Sequence, residues 1–145
     1  MKWVNPPVAY MLQAGVPLLL EAGLELPHLH PGARRVALEG YPGLLARELI
    51  GRRWFKSDTR AQQNGARAAA RAELIGALER GRSRLGIALV LDAAQRAELV
   101  ADAAGDRLDA VLCLVQAAWA AAQPNHGLPH ALDPIEGWIV TTPRA

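Results

Sequence analysis

Three carboxylates in this sequence stand where an apolar element meets solvent, and that is where metal-assisted chemistry is usually done. Glu39 is the single acid of Val36-Ala-Leu-Glu-Gly-Tyr-Pro42, a short apolar segment that reads as a strand closed by a Gly-Tyr-Pro-Gly breaker. Asp106 and Asp109 open the apolar run Asp106-Arg-Leu-Asp-Ala-Val-Leu-Cys113, and on a helix their spacing puts both side chains on nearly one face of the first turn. Carboxylates converging on one point would hold Mg²⁺ or Mn²⁺, which orients water and stabilises the attacking and leaving oxygens of phosphodiester hydrolysis. The competing roles are structural: an N-cap for Asp106, and for Asp109 an acid favoured by the helix dipole.

A second group, Arg52-Arg53-Trp54-Phe55-Lys56, combines cations suited to phosphates with aromatic rings on which bases stack. Arg60, Arg67 and Arg71 would extend this basic surface at near-helical spacing. The alternative is that Trp54 and Phe55 anchor the loop to the core while its cations stay solvated. His28 and His30 lie between prolines, and His126 and His130 in a Gly/Pro loop. Without a Cys or acid at ligand spacing, these read as loop residues. Trp138 in Glu-Gly-Trp-Ile reads as a packing residue, with Glu136 a turn residue or an acid at the site's edge. There is no Gly-rich phosphate loop, Gly-x-Ser-x-Gly elbow or Cys/His zinc pattern.

The elements that must position these residues are mostly helical. Residues 1–33 read as one or two short helices and a turn, and 35–41 as the strand carrying Glu39. Leu44, Leu45, Glu48 and Leu49 predict a short helix closed by Gly51. The Ala- and Arg-rich stretch 58–80 predicts a surface helix broken near Asn64-Gly65 and stopped by Gly81. Residues 85–91 read as an apolar connector or strand, and Asp92 as the cap of a helix over 93–103. From Asp106 to Ala122, Leu108, Val111, Leu112, Val115 and Trp119 form a wide apolar face, and 136–140 has strand composition.

At 145 residues and 51% hydrophobic, the chain suits one globular domain with a real core rather than a disordered tail. The lone Cys113 cannot form an internal disulfide and reads as a small core residue, which fits a cytoplasmic protein. The apolar run from Val111 to Ala122 is too short to cross a bilayer, and Asn5-Pro-Pro with Gln13 interrupts any signal-like stretch after Lys2, so no membrane association is expected. The net charge of +2 conceals an asymmetry: residues 47–84 hold ten basic side chains against four acids, and 85–145 hold three against seven. That distribution suits attraction of phosphates by one part and of cations by another.

Taken in order, Leu-Glu-Gly-Tyr-Pro-Gly, Arg-Arg-Trp-Phe-Lys-Ser-Asp, Gly-Asp-Arg-Leu-Asp-Ala-Val-Leu-Cys and Glu-Gly-Trp-Ile resemble the C-terminal part of the family called domain of unknown function 429, from about Trp3 to Val140. The resemblance implies an α/β, helix-rich fold with a ribonuclease H-like core and a site of the Holliday-junction-resolvase type. In such a site Glu39 would be the strand carboxylate, Asp109 the helix carboxylate and Asp106 a second acid one turn earlier. A metal-dependent nuclease acting on DNA or RNA follows, with Mg²⁺ or Mn²⁺ at Glu39, Asp106 and Asp109 and nucleic acid on Arg52, Arg53, Trp54, Lys56 and Arg60. These folds begin with a hairpin bearing the first catalytic Asp, whereas no acid precedes Glu21 here, so the resemblance implies a member that starts late and lacks its N-terminal strands. The uncovered sheet edge would then call for a homodimer or a partner chain. The alternative expectation is a non-catalytic module that binds nucleic acid or protein.

Overall fold

The computed structural model describes residues 6–32, 34–133 and 137–143, which fall into two compact units. Lys2 and Glu136 lie outside the described residues.

The first unit comprises residues up to Glu39 together with 131–137. Its helix α1, Pro6–Glu21, runs through Pro17, which has no N–H to offer the carbonyl four residues back. Of the one or two short helices expected, the chain forms one, which neither Gly15 nor Pro17 ends. Tyr10, Met11, Leu12 and Leu18 are all exposed. After α1 the chain turns back on itself: the Glu25 N–H donates to the Arg35 carbonyl at 2.8 Å and the Ala37 N–H to the Glu25 carbonyl at 2.9 Å. Gly32 permits this approach, since a Cβ there would lie 2.1 Å from the Glu25 nitrogen.

The second unit, residues 40–130 with 138–145, holds the core. Helix α2 spans Pro42–Ile50, α3 Gly65–Glu79, α4 Ala93–Ala101 and α5 Asp106–Ala121, with 3₁₀ turns at Arg60–Gln62 and Pro124–Gly127. Helix α3 is the centre: α2 and α4 both pack on it, and α5 packs on α2. Leu74, Ile75 and Leu78 of α3 join Leu45, Ile50, Leu99, Leu108, Leu112 and Val115 in one buried cluster. The expectation of a surface helix over 58–80 is therefore corrected. Its abundant alanines leave room for two neighbouring helices, and its buried side includes Ala70 and Ala77.

Local signals account for the helix ends. Gly51 leaves α2 at φ 68°, with its N–H on the Arg47 carbonyl. The Asn64 side chain accepts the Arg67 N–H at the start of α3, and Asp92 with Gln95 forms a reciprocal capping box on α4. At α5 the cap is Gly105 at φ 80°, while the Asp102 carboxylate accepts the Arg107 N–H at 2.9 Å. Asp106 is thus the first helical residue and not the N-cap.

The α/β, ribonuclease H-like core is contradicted: the described residues contain five α-helices and no strand. Their extended segments lack strand partners. Val36 meets Glu25 in an isolated parallel bridge. In 85–91 the Leu89 N–H bonds the Leu78 carbonyl at the end of α3, so a helix terminus takes the donor that a neighbouring strand would need. Pro42, read as a strand terminator, instead occupies the first turn of α2, where a missing N–H costs nothing. With no sheet among the described residues, there is no sheet edge for a partner to cover.

Candidate functional site

The exit from α2 builds a cleft of about 610 Å³ inside the second unit. Pro42 starts the helix, but the preceding Tyr41 gives no side-chain cap to its N-terminus. The Tyr41 ring folds back over Gly43, where a Cβ would meet ring atoms at 3.0–3.1 Å. At the other end of α2, the left-handed Gly51 turns the chain sharply into the loop 52–57. The loop returns across the start of α5, and Asp109 closes the cleft on that side.

The two rings of the loop differ in burial. Phe55 is buried in the core, while Trp54 is 76% exposed and lines the cleft. The alternative in which both rings anchor the loop therefore holds for Phe55 alone. The backbone is tied down by arginines of α3: Arg71 donates to the Phe55 carbonyl at 2.7 Å and to the Val100 carbonyl at 2.8 Å, and Arg67 donates to the Lys56 carbonyl. The Ser57 N–H adds a bond to the Ala103 carbonyl. Arg67 and Arg71 thus hold the loop instead of extending a basic surface, whereas Arg60 is exposed.

The cations of the cleft divide into two kinds. Arg53 forks onto Glu73 with both contacts at 2.6 Å and donates its Nε to the Ile50 carbonyl. That pairing raises the Arg53 pKa and lowers that of Glu73. Lys56 pairs with the Asp109 carboxylate through Oδ2, and its stem lies over Gly105, where an added Cβ would stand 2.6 Å from the Lys56 Cβ. Arg47 and Arg52, by contrast, line the cleft exposed, and no acidic side chain among the described residues pairs with either guanidinium.

The expected metal centre is corrected. Glu39 belongs to the first unit and is exposed, and Asp106 is exposed at the start of α5. Asp109 already pairs with the Lys56 ammonium through Oδ2. Among the described residues no three His, Cys, Asp or Glu side chains form a metal-holding group, so the donor set does not fit Mg²⁺ or Mn²⁺. The nuclease, hydrolase and metal-binding readings that depended on that centre and on the ribonuclease H-like sheet lose their support. The histidines keep to loops: His28 is left-handed at φ 65°, His126 lies in the strained turn before Gly127, and His130 borders a smaller cleft of about 420 Å³ beside Trp119.

Cys113, one turn beyond Asp109 on α5, is half-buried, and its thiol pKa is raised, first by burial and then by the Asp109 charge. The fold thus favours the protonated thiol. Its contribution to stability is complete below the unfolded thiol pKa and is lost as pH climbs through the raised folded value. Iodoacetamide should alkylate Cys113 with a pH inflexion above that of a free thiol. Asp109→Asn should lower the inflexion only part of the way, because burial is the larger cause. An unchanged inflexion in the variant would remove Asp109 from the thiol's surroundings.

Two members of the cleft, Tyr41 and Arg47, escaped the sequence reading. Tyr-Pro-Gly signals a strand end as readily as a helix start, and Arg47 is one charge on a short amphipathic helix. No helix among the described residues is long and apolar enough to cross a membrane. No protein-family model, curated protein or solved structure matches the chain.

Proposed function

We propose that the protein is a binding module whose cleft takes a phosphate bearing a planar base, as a free nucleotide or as part of a single strand. The observation that carries this reading is the pairing of Arg47 and Arg52, cations without acidic partners, with the exposed indole of Trp54 around one cleft. An exposed, unpaired guanidinium offers a forked donor to phosphate oxygens without first breaking an ion pair. The Trp54 ring offers a stacking surface that loses little freedom on binding, because Phe55, Arg67 and Arg71 already fix the loop beside it. A cleft of about 610 Å³ falls in the usual range for a small-molecule site. The uncapped N-terminus of α2 adds partial positive charge along the same wall.

The test is calorimetric titration of the 145-residue chain with nucleoside monophosphates and with a short single-stranded oligonucleotide. Replacing Arg47 and Arg52 together by alanine should weaken binding by about 100-fold, as expected for two charge-assisted contacts of about 1.5 kcal/mol each. Trp54→Ala should cost about tenfold through lost stacking. Affinity unaltered in the double-arginine variant would sink the assignment. Tighter binding of the oligonucleotide than of any mononucleotide would identify the single strand as the source of the ligand.

A further inference from the structure

We infer that the ligand of this cleft is a single strand of nucleic acid, gripped without regard to base and running on to Arg60; the inference rests on the nucleotide-binding reading above and goes further by naming the ligand. Telling one base from another takes an acceptor placed opposite its N–H groups, because every base and every phosphate offers acceptors alike. Among the side chains that line the cleft the one carboxylate is Asp109, and it is spent: Oδ2 pairs with the Lys56 ammonium and Oδ1 is closed to solvent. Arg53 is likewise held by Glu73. The Tyr41 hydroxyl turns to suit a donor or an acceptor and so chooses neither. What the cleft offers beyond this is the exposed guanidinium groups of Arg47 and Arg52 and the indole of Trp54, which hold phosphate and stack on the face that all bases share.

Two observations favour a strand over a free nucleotide. Trp54, at 76% exposed, is an open platform, and a base laid on it has its outer face covered only when a second base follows in the same strand. The second is a further unpaired cation outside the cleft. Arg60 is exposed, and no acidic side chain among the described residues pairs with it. It stands four residues beyond Lys56, so their Cα atoms are at most about 14 Å apart whatever course the chain takes. The segment between them is tied down: the Thr59 N–H donates to the Ser57 hydroxyl at 3.2 Å, and the Gln63 side chain to the Ser57 carbonyl at 2.8 Å. Arg60 is therefore carried on a fixed turn next to the cleft without lining it. A mononucleotide satisfies Arg47 and Arg52, and only a ligand that extends past the cleft gives Arg60 a phosphate.

The experiment titrates the full chain with thymidine monophosphate and with single-stranded hexanucleotides of thymine, cytosine and adenine, then repeats the two thymine ligands with Arg60→Ala. The thymine hexanucleotide should bind about 30-fold more tightly than the monophosphate, and the three hexanucleotides should agree within about fivefold. Its affinity should fall with salt at a logarithmic slope of about −2, or about −0.7 for each of three phosphates. Arg60→Ala should weaken the hexanucleotide about tenfold and flatten that slope by about 0.7, while the monophosphate stays within about twofold. A monophosphate that binds as tightly as the hexanucleotide, or an Arg60 variant that leaves the hexanucleotide unchanged, would overturn the strand and leave the nucleotide reading standing. A preference of more than about 20-fold for one base would overturn indifference to base. Absence of binding by all four ligands would overturn both readings. The comparison among ligands uses the unaltered chain, so it decides the matter even if the Arg60 variant fails to fold.

Discussion

Replacing Arg71 with leucine is expected to lower the stability of the folded chain by about 3 kcal/mol, the largest effect of any polar substitution in the second unit. Arg71 is 4% exposed and sits on the buried side of α3. Its guanidinium donates to two backbone carbonyls, those of Phe55 and Val100, which belong to different segments. Burial lowers its pKa and the Asp102 charge opposes that shift. Leucine would fill much of the stem's volume but would leave both carbonyls without this donor, the Phe55 carbonyl in a buried position and the Val100 carbonyl in a partly buried one. For a chain of this size the loss corresponds to a fall in Tm of about 10 °C. Urea unfolding should show it as a lower midpoint at unchanged slope. Lysine, which can reach one carbonyl but lacks the planar fork, should fall between the two. A loss below about 1 kcal/mol for leucine would mean that water or a shifted backbone satisfies the carbonyls.

Leu112→Ala should cost about 3 kcal/mol, while Leu114→Ala, two residues along the same helix, should change stability by less than about 0.5 kcal/mol. The contrast follows from the faces of α5. Leu112 is completely buried in the cluster with Leu45, Leu108 and Val115, whereas Leu114 is 59% exposed. Truncating Leu112 removes its transfer free energy and leaves a cavity beneath α2 that close-packed neighbours fill only in part. Truncating Leu114 removes surface that water already covers. Comparable losses for both variants would mean that the exposed side of α5 is covered by another chain in solution, and dilution of the sample would then separate the two.

The helices were legible in the sequence wherever a cap and an apolar stripe agreed. Asp92 opening α4, Gly51 closing α2 and the apolar face beginning at Leu108 all follow from local chemistry that acts within one or two turns. The strands were misread because a β-rich composition is only half of the requirement. Val36 to Glu39 has the residues of a strand but meets Glu25 at one bridge, and partners are a long-range property that composition does not carry. The α/β sheet expected from composition and from the resemblance is absent among the described residues. In the cleft, Arg52, Trp54 and Lys56 were visible as a basic aromatic loop. The division of labour among the arginines was not. Arg71 was counted with the surface charge, yet its position on the helix turns it into the core, and only the packing of α3 beneath the loop reveals this.

The two arginines that tether the cleft loop give the second unit a shared clock. Arg71 joins Phe55 to Val100 near the end of α4, and the Ser57 N–H reaches Ala103 just beyond it, so the loop and the end of α4 are fastened to each other as well as to α3. Neither can open alone without breaking bonds to the other. In native-state hydrogen exchange the Ser57 amide should therefore open together with the amides at the end of α4, as one cooperative unit. A ligand that clasps the loop would slow exchange in that helix end, far along the chain from the loop itself.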